Sequence, residues 1–247
     1  MTIGKALPKL GQSDSEKSSK SPRADIRGGN CIAANVGTYC MQPSKLGEPY
    51  KMSFVTGGLF INESLEISDI YLSIGDWPLT RKVALEKGVT SLPKAASRIR
   101  ALREIVSRLS KLTNAELQFF SQTKERANQQ ALLWLAVCRE YRFIGEFATE
   151  VVRERFASFK TDLPLESFDS YLASKAEWNE GLAKIRPATS AKLRQVLFRI
   201  MREADIVSQK NEIRATRVSA SLLAILTEHS ASDLEFFPGF NFDGERA

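Results

Sequence analysis

Apolar residues recur three and four positions apart along most of the chain from Tyr50 onwards, and this spacing restricts what the chain can form. An α-helix places such residues on one side, whereas a half-buried strand needs them at every second position. Between residues 94 and 112 the apolar stripe comprises Ala95, Ile99, Leu102, Ile105, Val106, Leu109 and Leu112. The sequence therefore predicts a mainly α fold in which helices pack on helices.

Flanking residues mark several helix ends. Asp76 can cap a helix that stops at Gly88. Thr113 and Glu116 have the spacing of a capping box, so another short helix is predicted to start there. Residues 131–138, ALLWLAVC, are apolar nearly all round, which predicts a central buried helix.

The 247-residue chain is long enough for one large or two small domains. The boundary is predicted between Asp162 and Pro164, where KTDLPL interrupts the helical pattern. The predicted parts are a mobile N-terminal extension at 1–49, an N-terminal helical domain at 50–162, a winged-helix-like C-terminal domain at 163–230 and an aromatic tail at 231–247. The predicted fold is thus two packed helical domains with helix-turn-helix or winged-helix-like elements and a short β-hairpin wing.

Apolar runs and cysteine usage indicate the compartment. The longest unbroken apolar run is 131–138, and a helix needs about 20 apolar residues to cross a bilayer, so no membrane partner is predicted. The N-terminus lacks the apolar segment of a signal peptide. Cys31, Cys40 and Cys138 form no CxxC pair, and Cys138 lies in the apolar run as a buried thiol would. This usage is typical of a reducing cytoplasm, so a cytoplasmic protein is predicted.

Residues 189–226 combine an amphipathic helix with a short hairpin pattern. Leu193, Val196, Leu197 and Ile200 fall on one side of the helix. The helix ends in ADIV, SQKN is a turn, and EIRATRV returns before the next apolar run. This order is expected of a winged helix-turn-helix, in which one helix enters the DNA major groove and a basic wing touches the backbone.

The charge of this region also favours a DNA contact. Residues 184–217 carry nine basic and three acidic residues, a local net charge of +6 that equals the net charge of the whole chain. Arginine and glutamine can hydrogen-bond to base edges, and lysine suits phosphates. The predicted DNA-contacting residues here are Lys192, Gln195, Arg199, Arg202, Lys210 and Arg214. A solvated helix face, or a winged helix that binds only protein, would show the same pattern.

A second basic helix is predicted within residues 94–111. Its predicted DNA-contacting residues are Arg100, Arg103, Arg108 and Lys111. Arg98 falls near the edge of the apolar stripe, so we expect it in a structural ion pair. The two basic helices would form one extended footprint if the domains align, and two unrelated solvated faces if they do not.

Residue patterns typical of enzymes are not found. His229 is the single histidine and has no Cys or acidic partner at metal-ligand spacing. TGG at 56–58 is too short to be a phosphate-binding loop. Glu146 and Glu150 lie one helical turn apart among arginines, which favours surface ion pairs, and Trp178 is predicted to be a core residue. The sequence therefore predicts no enzymatic activity, no metal, no cofactor and no small-molecule substrate.

Four segments of the chain together carry a family resemblance. In chain order they are YKMSFVTGGLFINESLEISDIYLSIGDW, LLWLAVCREYRFIGEFATEVVRERF, KAEW and KLRQVLFRIMREADIV. Together they resemble the BrxA family of the BREX bacteriophage-exclusion systems, from about Tyr50 to about Leu226. The resemblance implies an all-helical cytoplasmic protein with winged-helix-like parts that binds DNA and acts beside larger BREX proteins. It implies no catalytic residue and identifies no individual DNA contact.

Residue pattern and resemblance together predict a non-enzymatic accessory protein of a phage-defence system. Its predicted partners are double-stranded DNA, bound largely through phosphates, and other BREX proteins. Two alternatives remain open. The same helices could hold a partner protein as an adaptor, or they could form an RNA-binding module.

Overall fold

The computed structural model describes residues 49–55, 57–90 and 92–240, except the side chain of His229. The α-helices are α1 (Ile61–Ile74), α2 (Trp77–Lys87), α3 (Ala95–Leu109), α4 (Asn114–Gln122), α5 (Arg126–Glu140), α6 (Arg142–Phe147), α7 (Glu154–Ala157), α8 (Glu166–Ala176), α9 (Glu180–Ala183), α10 (Pro187–Glu203) and α11 (Ala220–Ser230). A π-helix, Ala148–Arg153, joins α6 to α7, and a 3-10 helix, Ala231–Phe236, follows α11. The mainly helical prediction is confirmed. The predicted extension at 1–49 lies outside the described residues apart from Pro49.

The helix ends marked in the sequence lie where they are predicted. The Asp76 carboxylate accepts a hydrogen bond from Leu79 N at 2.7 Å, and Gly88 ends α2 with a left-handed φ of 68°. Thr113 N donates to Glu116 Oε2 at 2.7 Å, and Glu116 N donates to Thr113 Oγ1 at 3.2 Å, which completes the capping box. These bonds satisfy N–H groups that have no partner within a helix.

Residues 131–138 lie at the centre of the hydrophobic core, as predicted. Each is exposed by 3% or less, because α1, α3, α4, α6 and α10 all pack against α5. One hydrophobic cluster contains side chains from both sides of the segment between Asp162 and Pro164. The division of the chain into two helical domains at that segment stays a prediction.

The predicted two-stranded wing is not formed by the described residues, which contain no β-strand. After α10 there are two isolated bridges, one between Val207 and Ile213 and one between Glu212 and Asp162. Ser208 N donates to Glu212 O at 2.8 Å, so the chain reverses within five residues. Ile213 N then donates to Thr161 O, and the returning segment thus shares its hydrogen bonds with a distant part of the chain. A two-stranded ladder has no room to extend, and a tight turn replaces the wing.

The C-terminal segment packs on the body of the molecule over its described part. Trp134 in α5 donates from Nε1 to Phe236 O at 2.9 Å, and the Phe237 side chain is buried. Thr216 N donates to Pro238 O at 3.0 Å, which draws the chain away from the turn after α10. Residues 241–247 of the predicted aromatic tail lie outside the described residues.

Two apolar side chains predicted to be buried are exposed, Trp178 by 81% and Ile99 by 44%. Trp178 lies between α8 and α9, where helical periodicity does not apply. Ile99 lies in the first half of α3, and the apolar stripe of this helix meets the core only from Ala101 and Leu102 onwards. Within the described ranges, none of the helices has the length and apolar character required to cross a bilayer.

Candidate nucleic-acid interface

The outer face of α10 carries the polar side chains that helical periodicity places there. Its inner face is buried and comprises Leu193, Val196, Leu197, Phe198, Ile200 and Met201. Lys192, Gln195 and Arg199 are exposed on the other side, and Lys192 Nζ donates to Gln195 Oε1 at 3.1 Å. Pro187 in the first turn supports the start of the helix, because its ring already has a helical φ.

The turn that follows α10 is held against the helix by Arg202. This half-buried side chain donates from Nε and Nη2 to Asn211 Oδ1 at 3.2 and 2.7 Å, and Asn211 has a left-handed φ of 62°. Arg214 Nη1 pairs with Asp205 Oδ1 at 2.5 Å across the same turn. Arg202 therefore fixes the turn that displays Lys210 and Arg214 to the helix. A DNA contact by Arg202 stays a prediction.

Glu203, at the end of α10, ties this helix to the start of α1. Its carboxylate accepts hydrogen bonds from Leu59 N and from Arg199 Nε, the latter at 2.7 Å. A Cβ added at Gly58 would lie 2.1 Å from Glu203 Oε2, so only glycine lets the carboxylate approach. Gly58, the second glycine of the TGG segment, thus allows close packing between α10 and the residues before α1.

Carboxylates neutralise part of the basic face. Arg199 pairs with Glu203, Arg214 with Asp205, and Arg194 with Asp169 on α8. Exposed ion pairs of this kind contribute only about 0–1 kcal/mol, so the arginines can exchange a carboxylate for another anion. We call Lys192, Gln195, Arg199, Lys210 and Arg214 the α10 surface.

Arg108, a predicted DNA contact, is buried with only 3% of its surface exposed. Its Nη1 donates to Gly58 O at 2.8 Å, and the guanidinium lies 5.7 Å from the ring centre of Tyr141. Glu104 Oε2 is 3.8 Å from Nη2. The prediction is wrong because Arg108 lies three residues after Ile105, within the stripe that faces the core.

The other predicted contacts on the second basic helix belong to the surface of α3 and the loop after it. Arg100 and Arg103 are exposed, and Lys111 Nζ lies 3.6 Å from Glu140 Oε2. Arg98 does not form the expected ion pair with another described residue, since its Nη1 donates to the backbone oxygen of Leu92 at 3.1 Å. Among the described residues, no hydrogen bond or ion pair connects these side chains to the α10 surface. A shared DNA footprint therefore stays a prediction.

Sequence reasoning missed a buried polar cluster around Arg139 on α5. Arg139 donates from Nη1 and Nη2 to the two oxygens of Glu116 at 2.7 and 2.8 Å, and from Nε to Asp233 Oδ2 at 2.8 Å. Burial alone would raise the pKa of the Glu116 carboxyl, but hydrogen bonds from Arg139 and Thr113 outweigh burial and lower this pKa. The capping box is a sequence signal for Glu116, but no local pattern marks Arg139 as its partner.

The predicted ion pairs of Glu146 and Glu150 are present, with one partner that the sequence does not indicate. Arg142 Nε lies 3.3 Å from Glu146, as the spacing predicts, and Lys175 Nζ lies 2.9 Å from Glu146 and 2.8 Å from Glu150. The described residues contain no group of three or more His, Cys, Asp or Glu side chains that could hold a metal ion. The side chain of His229 lies outside the described residues.

The chain is similar in sequence to a known protein family. The sequence model of the BrxA family matches residues 48–230. A BREX protein BrxA from Paramagnetospirillum magneticum (strain ATCC 700264 / AMB-1) is 24% identical over 117 residues, which are 46% of this chain and 59% of that relative. This chain therefore spans less than two thirds of that relative's length.

A second relative and a solved structure are matched over more of their length. A BREX protein BrxA from Escherichia coli O9:H4 (strain HS) is 25% identical over 182 residues, 72% of this chain and 84% of that relative. The crystal structure of an uncharacterized protein from Magnetospirillum magneticum superposes with a TM-score of 0.64 at 21% identity, covering 77% of this chain and 98% of that chain. This last likeness shows a shared helical fold.

Proposed function

Because the chain belongs to the BrxA family, we propose that it is a non-enzymatic component of a BREX phage-defence system that binds duplex DNA through the α10 surface. Both relatives are BREX proteins by name, which supports a role beside other BREX proteins. The DNA-binding part of the proposal depends on side chains of this chain alone.

The observation that carries the proposal is a set of exposed cations on one rigid unit. Lys192 and Arg199 lie on the helix, and Lys210 and Arg214 lie on the turn that Arg202 fixes to it. A fixed set of cations binds a regular array of phosphates without first having to be ordered. Lys210 forms no ion pair with another described residue, and the pairs of Arg199 and Arg214 are exposed and weak.

The size of the surface fits a short contact with a duplex. From Lys192 to Glu203 the helix rises roughly 16 Å at 1.5 Å per residue. A duplex carries one phosphate charge per about 1.7 Å of its axis, so this length faces about nine charges. Four cations can contact only some of them, and Gln195 and Arg199 are the side chains that could also reach base edges. The proposed binding is therefore largely phosphate-driven.

Salt dependence of duplex binding tests the proposal. The double variant Lys192→Ala with Lys210→Ala removes two cations whose loss leaves the core and the turn intact. Each phosphate contact contributes about 0.9 to the slope of log affinity against log salt, so the slope should fall by about 1.8. Fluorescence anisotropy of a labelled duplex at several salt concentrations measures this slope.

A matched control distinguishes the loss of a specific DNA contact from the effect of a lower net charge. Lys124→Ala with Arg126→Ala removes two exposed cations at the start of α5 and the same net charge. The control should leave the slope nearly unchanged. Equal slopes in both double variants, with intact helical circular dichroism, would contradict DNA binding by the α10 surface.

Two further measurements address the alternatives. RNA and single-stranded DNA are titrated as competitors of the labelled duplex, and stronger competition by RNA than by duplex DNA would favour an RNA-binding module. The purified chain should neither hydrolyse ATP nor cut DNA. Mg²⁺-dependent cleavage that disappears in a carboxylate variant would overturn the non-enzymatic part of the proposal.

A further inference from the structure

A groove of about 290 Å³ lies between α2 and α3, on a different element pair from the α10 surface. Its apolar lining includes Leu85, Ile99 and Leu102, and its cationic lining comprises Arg81, Lys82 and Arg103. The groove thus combines apolar and positively charged side chains along two helices.

Apolar side chains of this helix pair are left without cover. Leu85 is 43% exposed and Ile99 is 44% exposed, although both line the groove. Single exposed apolar residues are normal, but two that line the same groove from neighbouring helices favour a binding site.

The cations of this helix pair are also uncompensated. Residues 77–103 carry seven basic residues and one acidic residue, a local net charge of +6. Within the part of the chain that the structure describes, none of the seven forms an ion pair, in contrast to Arg199 and Arg214 on the α10 surface. A ligand that brings carboxylates would therefore meet cations that no carboxylate of the described residues already holds.

We infer that the α2–α3 groove binds an acidic amphipathic helix of a partner protein. Such a helix lays apolar residues spaced three and four apart into a groove while its carboxylates meet the cationic side chains. A DNA backbone has no apolar side chains to cover Leu85 and Ile99, and a concave groove fits a helix better than a lipid surface. This inference does not depend on DNA binding by the α10 surface.

The predicted DNA contacts Arg100 and Arg103 lie on α3, and Arg103 lines this groove. The apolar neighbours of Arg103, Ile99 and Leu102, favour a protein ligand over nucleic acid at this place. The experiment must therefore also be able to detect nucleic-acid binding at the groove.

The probe is a labelled synthetic peptide of about 18 residues, long enough to form a helix. It has leucines spaced three and four apart and glutamates on the remaining positions. A peptide of the same composition in scrambled order carries the same charge without an apolar face. We expect the amphipathic peptide to bind the full chain at least tenfold more tightly than the scrambled one.

Two double variants of the protein locate the binding. Leu85→Gln with Ile99→Gln should weaken peptide binding about tenfold or more, because two apolar side chains no longer gain from burial. Arg81→Gln with Lys82→Gln should weaken it and reduce its salt dependence. The matched control is Leu72→Gln with Leu165→Gln, two exposed leucines outside the groove, which should leave binding unchanged.

Several results would overturn the inference. Equal binding of both peptides, or no loss in the Leu85→Gln and Ile99→Gln variant, would show that charge alone attracts the probe. Duplex DNA binding that falls with Arg81→Gln and Lys82→Gln, while the peptide does not bind, would assign the groove to nucleic acid. Binding to anionic phosphatidylserine vesicles without peptide binding would assign it to a membrane surface. Unchanged melting temperatures confirm that each variant is folded.

Discussion

Replacing Arg139 with methionine should destabilise the protein strongly, because the Glu116 carboxylate would remain buried without its cation. Glu116 is 0% exposed, and Arg139 donates to both of its oxygens and to Asp233. Removing one partner of a buried ion pair costs about 3–5 kcal/mol. In a domain of this size each kcal/mol lowers Tm by about 2–4 °C, so Arg139→Met should lower Tm by roughly 6–20 °C.

Thermal unfolding followed by circular dichroism measures this effect against a matched control. Arg214→Met breaks a half-exposed ion pair with Asp205 that contributes about 0–1 kcal/mol, so it should lower Tm by at most about 4 °C. Glu116→Gln added to Arg139→Met should recover part of the loss, because glutamine is neutral and can still complete the capping box. A Tm loss for Arg139→Met no larger than that of the control would refute the reasoning.

Three further outcomes follow from single residues. Because the pKa of Glu116 is lowered in the folded state, its contribution is present above about pH 4.3 and lost as pH falls through the folded value, so Glu116→Gln should flatten the acid side of a Tm–pH profile. Gly58→Ala should cost about 2 kcal/mol by displacing the Glu203 carboxylate, and the same change should cost almost nothing in a Glu203→Ala background. Trp178→Ser should leave Tm within about 2 °C, since its side chain is mostly in solvent; a larger loss would show that it packs.

The sequence was sufficient for features that depend on residues close together in the chain. The caps at Asp76 and Thr113 involve donors three residues away, so their signals are local. The buried helix at 131–138 is evident because its residues are apolar on every side. The resemblance to the BrxA family is confirmed by the match over residues 48–230, since ordered motifs survive where overall identity is low.

Features that depend on distant partners were not predictable from the residue pattern. The spacing of Arg108 places it in the apolar stripe of α3, but the carbonyl that lets its guanidinium be buried lies fifty positions earlier, at Gly58. The turn after α10 replaces a wing because Ile213 bonds to Thr161 and Thr216 bonds to Pro238, and neither partner is near in sequence. Trp178 is exposed because none of the described helices covers the connection between α8 and α9.

The docking of the C-terminal segment sets an order for folding during synthesis. Trp134 and Arg139 on the central helix find partners at Phe236 and Asp233, which are made about 100 residues later. At about 5–20 residues per second, roughly 5–20 seconds separate the synthesis of these groups. Until then an indole N–H and part of a guanidinium on the most buried helix lack their native acceptors. The nascent chain therefore cannot close its core from the N-terminal side alone, and its final packing step must follow the emergence of residues 233–236.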